Sequence, residues 1–153
     1  MTLIEKKFEA AVGGLKEDWF KESSLKWFDY VNDLPYLERL TYCILVFDNQ
    51  VFNGGFHQYF TNGYGQFAPR TIEYLNEIGA PRKAKILKEA FRTVNVDSLE
   101  NLTFAQMLMN GKIDALFKDD SLFEPIEELD NEYENLAEEN LQILLENFLQ
   151  VKS

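Results

Sequence analysis

At 153 residues, 46% of them hydrophobic, the chain is of a size to bury one core, and its composition is that of a globular protein rather than a disordered one. It carries 15 Lys/Arg against 26 Asp/Glu, and the imbalance is local: residues 1–112 hold 13 basic and 14 acidic side chains, whereas residues 113–153 hold 2 and 12. That distribution argues against direct binding of nucleic acid or an anionic membrane, both of which need clustered cations, and it favours a basic partner or plain solubility.

No run reaches the length of a membrane span, and the start Met1-Thr2-Leu3-Ile4-Glu5-Lys6-Lys7 lacks the order of a signal peptide. With a single cysteine, Cys43, inside the apolar run Tyr42–Phe47, no internal disulfide forms, and a buried small side chain is expected there rather than a reactive thiol. A cytoplasmic protein is the expectation from these features together. No linker, repeat or low-complexity tract divides residues 1–153, so one domain is expected.

The helical period dominates in chain order. A helix over Leu3 to Val12 ends at Gly13-Gly14, and a second covers Lys16 to Val31, with a break near Ser23-Ser24. Asp33 as cap and Pro35 in the first turn announce a third helix, to Phe52, whose Leu37, Leu40, Tyr42, Ile44, Leu45 and Phe47 make it apolar nearly all round. Asn53-Gly54-Gly55 ends it. A short aromatic helix with Phe56, Tyr59 and Phe60 follows, stopped at Asn62-Gly63. Helices over Ala68 to Ile78 and Pro81 to Thr93 flank Gly79, a short one spans Phe104 to Asn110, and a turn falls at Asp119-Asp120-Ser121. The last helix runs from Pro125 to Phe148. The expected fold is all-α, an irregular or orthogonal bundle of about seven to nine helices with a long acidic C-terminal helix.

That last helix carries the most distinctive pattern. Ile126, Leu129, Tyr133, Leu136, Ala137, Leu141, Leu144 and Phe148 recur at steps of three and four and form one apolar stripe. Glu127, Glu128, Glu132, Glu134, Glu138, Glu139 and Glu146 fall on the other side, a row of carboxylates about 36 Å long at ~1.5 Å per residue. With no lysine interleaved, pairs such as Glu134 and Glu138 repel by a few tenths of a kcal/mol. A solvated face is the plain reading of such a row. The sharper reading is a surface that meets a protein built for phosphates.

The run Asn53-Gly54-Gly55-Phe56-His57-Gln58-Tyr59-Phe60-Thr61-Asn62 is the second unusual segment. Its glycines suit a sharp reversal with one residue at positive φ, its amides (Asn53, Gln58, Asn62) are placed to tie free backbone groups of the turn, and its rings suit a core. His57, the sole histidine, has no nucleophile or orienting acid in any sequence pattern, so a structural role is expected. Phosphate-binding loops, dinucleotide fingerprints and zinc ligand sets are absent, so no catalytic residue, cofactor or metal is expected.

These residues resemble a bacterial family of acidic helical domains named for a DNA-mimic protein. Asn53–Phe60 with Asn62 looks like its central signature, Tyr74–Ala80 with Ala84-Lys85-Ile86-Leu87 and Ala90 like a second block, and Leu129–Tyr133 through Leu141 to Phe148 like its closing acidic helix. The likeness covers roughly residues 30 to 149 and departs at Tyr64-Gly65-Gln66-Phe67, where a more polar turn is usual. It implies an all-helical fold, an acidic surface, homodimerisation, and a decoy's role against a DNA-binding regulator, with the glycine–aromatic block as scaffold. The expected function is therefore that of a noncatalytic protein binding a basic, nucleic-acid-binding partner such as a transcription regulator. Two other readings stay open: an immunity-type inhibitor of a basic toxin, and a carboxylate-dependent hydrolase, which would need a pocket of convergent carboxylates.

Overall fold

The structure, a computed structural model, describes residues 1–118 and 123–153, and for Phe123 the backbone alone. The turn expected at Asp119-Asp120-Ser121 lies outside the described residues. Among these residues there is no strand, and the fold is all-α.

Helix α1 spans Leu3–Val12 and begins with a reciprocal cap: Thr2 Oγ1 accepts from the Glu5 backbone N–H at 3.1 Å, and Glu5 Oε2 accepts from Thr2 N–H at 3.2 Å. The expected second helix is broken, as Ser23-Ser24 suggested. A 3₁₀ turn over Glu17–Phe20 precedes the break, and α2 (Lys26–Asn32) follows it.

Helix α3, Tyr36–Thr61, is the axis of the molecule, and α1, α4 (Ala68–Glu77), α8 (Phe123–Glu134) and α9 (Leu141–Lys152) all pack against it. Its Leu40 to Ile44 are buried without interruption, as a run apolar on every face requires. Asp33 does not cap it: the capping position is Pro35 itself, whose side chain has no polar atom with which to accept from the first turn.

Helix α5 (Pro81–Val94) packs beside α4 across the turn at Gly79, whose φ of 93° is the left-handed value expected of a helix-ending glycine. Helices α6 (Asn101–Met109) and α7 (Asp114–Phe117) complete the chain order; the brief α7 was not legible in the sequence.

Rings dominate the core. Phe47 meets Tyr59 edge-on at 5.2 Å and Tyr133 at 5.4 Å, and Trp27 meets Phe20, Tyr64 and Phe67 in the same way. Such pairs contribute about 0.5–1.5 kcal/mol each beyond the area they bury. The turn Tyr64–Phe67 is a buried 3₁₀ element, which accounts for its low polarity: Phe67 packs on Trp27, Phe28 and Tyr42, and Gln66 Nε2 donates to the Gly63 carbonyl at 2.8 Å. Cys43 is fully buried, and burial pushes its thiol up to about 12, as an inert core cysteine requires.

The C-terminal quarter departs most from expectation. It is not one helix from Pro125 to Phe148. Helix α8 stops at Glu134, residues 135–140 leave helical geometry, and α9 restarts at Leu141 with Asn140 as cap, its side chain accepting from Ile143 N–H at 3.1 Å. The single apolar stripe divides accordingly. Ile126, Leu129 and Tyr133 are buried on α8, Leu141, Leu145 and Leu149 on α9, and Ala137 between them is exposed.

Candidate functional site

The seven glutamates expected to form one row take four different situations. Glu127, Glu128, Glu132 and Glu134 are exposed on α8. Glu138 is exposed in the inter-helix stretch and pairs with the Arg82 guanidinium of α5. Glu146 on α9 is half-buried and accepts from the Ile4 backbone N–H at 3.2 Å, fastening the start of α1.

Glu139 is buried, with its two oxygens accepting from Arg82 N–H at 3.1 Å and Lys83 N–H at 2.8 Å. It is a helix cap supplied from a distance. Behind Pro81, which has no N–H, Arg82 and Lys83 open α5 with backbone N–H groups that have no helical carbonyl one turn earlier, and the carboxylate satisfies both while opposing the positive end of the helix dipole. A 36 Å carboxylate row is therefore not present; Glu139 and Glu146 are spent on the fold.

What remains is compact. The twelve residues of α8 contain six acidic side chains and no Lys or Arg. Asp130 turns inward, while Glu124, Glu127, Glu128, Glu132 and Glu134 face water without an ion pair among the described residues. Glu124 was missed in the sequence because the helix was expected to begin at Pro125. At ~1.5 Å of rise per residue α8 is about 18 Å long, so its exposed carboxylates average about one per 3.6 Å of axis. A single DNA strand places one phosphate every ~3.4 Å.

The inward Asp130 joins this helix to the second unusual segment. Gly54 (φ −147°, ψ 15°) and Gly55 (φ 76°, ψ −176°) interrupt α3 with non-helical angles. The positive φ expected at this pair is present, but at a kink that α3 continues through to Thr61, where an end at Phe52 and a sharp reversal into a separate helix were expected, and the backbone N–H of Phe56 loses its helical acceptor. Asp130 Oδ1 takes that bond at 2.8 Å. Burial raises the Asp130 carboxyl above its usual range; the Phe56 bond and the His57 charge pull it back, and Glu134 and Glu127 push it further up.

Phe56, Tyr59 and Phe60 are buried as expected, and His57 is half-buried beside Asp130. The amides behave differently from expectation. They tie one another rather than the backbone: Asn53 Nδ2 donates to Gln58 Oε1 at 3.4 Å, and both Gln58 Nε2 and Asn62 Nδ2 donate to Gln50 Oε1 at 3.0 Å. Because Asp130 has already satisfied the free backbone group, the amides are left to stiffen the outer side of the kink.

Beneath the face lies a charged cluster that the sequence did not signal. Tyr133 Oη donates to Asp48 Oδ1 at 2.6 Å, and the Lys83 ammonium lies 4.4 Å from the Tyr133 ring centroid and 5.4 Å from that of Phe52. Burial raises Asp48 while Tyr133 and Lys83 lower it; burial lowers Lys83 while Asp48, Glu139 and Glu138 raise it. These groups come from α3, α5, α8 and the 135–140 stretch, separated by up to 91 positions (Asp48 to Glu139), so no local pattern marks them. They anchor α8 by its polar edge as Ile126 and Leu129 anchor it by its apolar one.

An all-α protein with an unneutralised acidic helix set on an aromatic core defines a class of acidic helical domain. The chain belongs to the DMP19-like protein family, whose model matches residues 32–152. No curated protein and no solved structure matches it. That family is not a known enzyme family. No helix among the described residues is long and apolar enough to cross a membrane.

Proposed function

We propose that the chain is a noncatalytic acidic protein that captures a basic, nucleic-acid-binding protein, with the carboxylates of α8 standing in for phosphates. The observation that carries this is the exposed set Glu124, Glu127, Glu128, Glu132 and Glu134, spaced along α8 much as phosphates are along one strand and without an ion pair among the described residues, although Arg82 and Lys85 line the same hollow as Glu132. Like charges this close cost the helix a few tenths of a kcal/mol per neighbouring pair. The cost is held in check by the buried side of the same helix. Membership of the DMP19-like family is compatible with the reading. A field of one sign chiefly accelerates encounter and selects against acidic partners.

The test is affinity capture from a native lysate by the intact protein and by a variant with Glu127, Glu128, Glu132 and Glu134 replaced by Lys, each checked for helical content by circular dichroism. The expected result is a DNA-binding protein retained by the wild type, lost with the variant, displaced by duplex DNA and released by moderate salt. Retention unaffected by the four reversals, or indifferent to DNA and salt, overturns the proposal. A retained partner that binds no nucleic acid would instead mark an inhibitor of a basic toxin.

A further inference from the structure

A cavity of about 490 Å³ opens where α8 ends. Its walls come from α3 (Asp48, Phe52), from the last turn of α8 (Tyr133, Glu134) and from the non-helical stretch that leads to α9.

The charge preference of this cavity follows from its parts. The last turn of α8 has no basic residue, so the partial negative charge of its free carbonyls meets no cation from its own helix. Glu134 adds a full negative charge there, without an ion pair among the described residues. The one cation among the described lining residues, Lys83, is 2% exposed and lies on the inner ring faces, where Asp48 and Glu139 offset its charge. Phe52 stands at the mouth, 54% exposed, edge-on to Tyr133 at 5.3 Å. The outer face of that ring is open to water and suits a cation.

We infer that this cavity is a socket for an arginine side chain of the basic protein that α8 attracts, an inference that rests on the function proposed above. A guanidinium is flat enough to lie on the outer face of Phe52 and forked so as to pair with the Glu134 carboxylate, while Asn49 and Gln142, which also line the cavity, carry amide oxygens able to accept from its remaining N–H groups. A lysine ammonium stacks less well and does not fork. The division of labour is physical: the open carboxylates of α8 set the rate of encounter, and a desolvated arginine in a pocket sets how long the complex lasts.

The probe is Nα-acetyl-argininamide, followed by two-dimensional amide NMR on the intact protein, with the uncharged Nα-acetyl-citrullinamide and Nα-acetyl-lysinamide for comparison. The expected result is saturable shifts at Phe52, Glu134, Ala137 and Gln142 with the arginine compound, at least several-fold weaker with lysine and absent with citrulline. Ala137→Trp places a ring into the cavity from an exposed position and should weaken the arginine response about tenfold or more with the melting temperature unchanged. Phe52→Ala should do the same should the tryptophan disturb the fold. Shifts that rise without saturation along Glu124 to Glu132, or that are equal for lysine, overturn the socket. So does capture of a basic partner that survives Ala137→Trp with its off-rate intact; that outcome leaves the carboxylate face standing, whereas loss of capture's dependence on salt and DNA removes the face itself.

Discussion

Glu138 and Glu139 are neighbours with opposite consequences for stability. Glu138 is an exposed partner of Arg82, and such pairs contribute about 0–1 kcal/mol, so Glu138→Ala should barely move the unfolding midpoint. Glu139 is 7% exposed and accepts two backbone N–H groups at the start of α5. Glu139→Ala leaves both donors without an acceptor and should cost about 2–3 kcal/mol, read from urea unfolding. Equal effects of the two substitutions would show that Glu139 is no cap. Gly55 offers a second test at this scale. Its φ is 76°, and a Cβ built there would stand 2.5 Å from Asp130 Oδ2, so Gly55→Ala combines backbone strain with displacement of the carboxylate that holds Phe56. A loss of at least ~1 kcal/mol is expected. The tyrosines give a third. Burial raises Tyr42, Tyr59 and Tyr133 far above the ordinary 10.0, so the folded state resists their ionisation and the unfolded state does not. Their contribution to stability is therefore complete below pH 10.0 and is lost as the pH climbs above it. Absorbance at 295 nm should show these three ionising together with unfolding, later than an exposed phenol; smooth titration of every tyrosine near pH 10 would contradict the burial.

Among the elements, α8 and α9 matter most. Helix α8 has no lysine or arginine to relieve its six acidic side chains, and as an isolated peptide of twelve residues it should be largely unfolded at neutral pH. It is helical in the protein because Ile126, Leu129 and Tyr133 are buried and because Asp130 and Tyr133 bond to α3 through Phe56 and Asp48. The acidic face is thus mounted on α3 by its own inner side, which keeps the carboxylates in a fixed array. Helix α9 starts at a real cap, and Asn140→Ala should cost about 1 kcal/mol by removing the acceptor for Ile143 N–H. An unchanged midpoint would argue for a continuous helix through residue 140.

The whole molecule bears a formal charge of −11 with three ion pairs among the described residues. Self-repulsion of that size is screened by salt over ~8–10 Å near physiological ionic strength. Raising sodium chloride from low to moderate concentration should therefore increase the melting temperature by a few degrees, while weakening the capture of a basic partner. The opposite signs are diagnostic: one field destabilises the free protein and attracts the partner, so replacing Glu127 and Glu128 by Gln should stabilise the fold slightly and slow association. A melting temperature that falls with salt would mean that attractive pairs, not repulsion, dominate the surface.

The amino-acid order alone determined the all-α class, the central position of the third helix, the positive φ at Gly54-Gly55 and the acidic character of the C-terminal quarter. Each rests on local causes: a run with no polar face has to be buried, paired glycines admit angles other residues resist, and charge is a property of composition. The tertiary structure decided which carboxylates face water. Ile126 to Phe148 keeps a helical period throughout, and Asn135 to Asn140 contains no proline or glycine to announce a break. At the break Asn140 caps α9 and Glu139 accepts from the free N–H groups of Arg82 and Lys83 at the start of α5. Those N–H groups lie more than fifty positions from Glu139, and the Asp48–Tyr133–Lys83 cluster joins residues 35 to 85 positions apart, so a spacing rule that looks a few residues ahead cannot contain either.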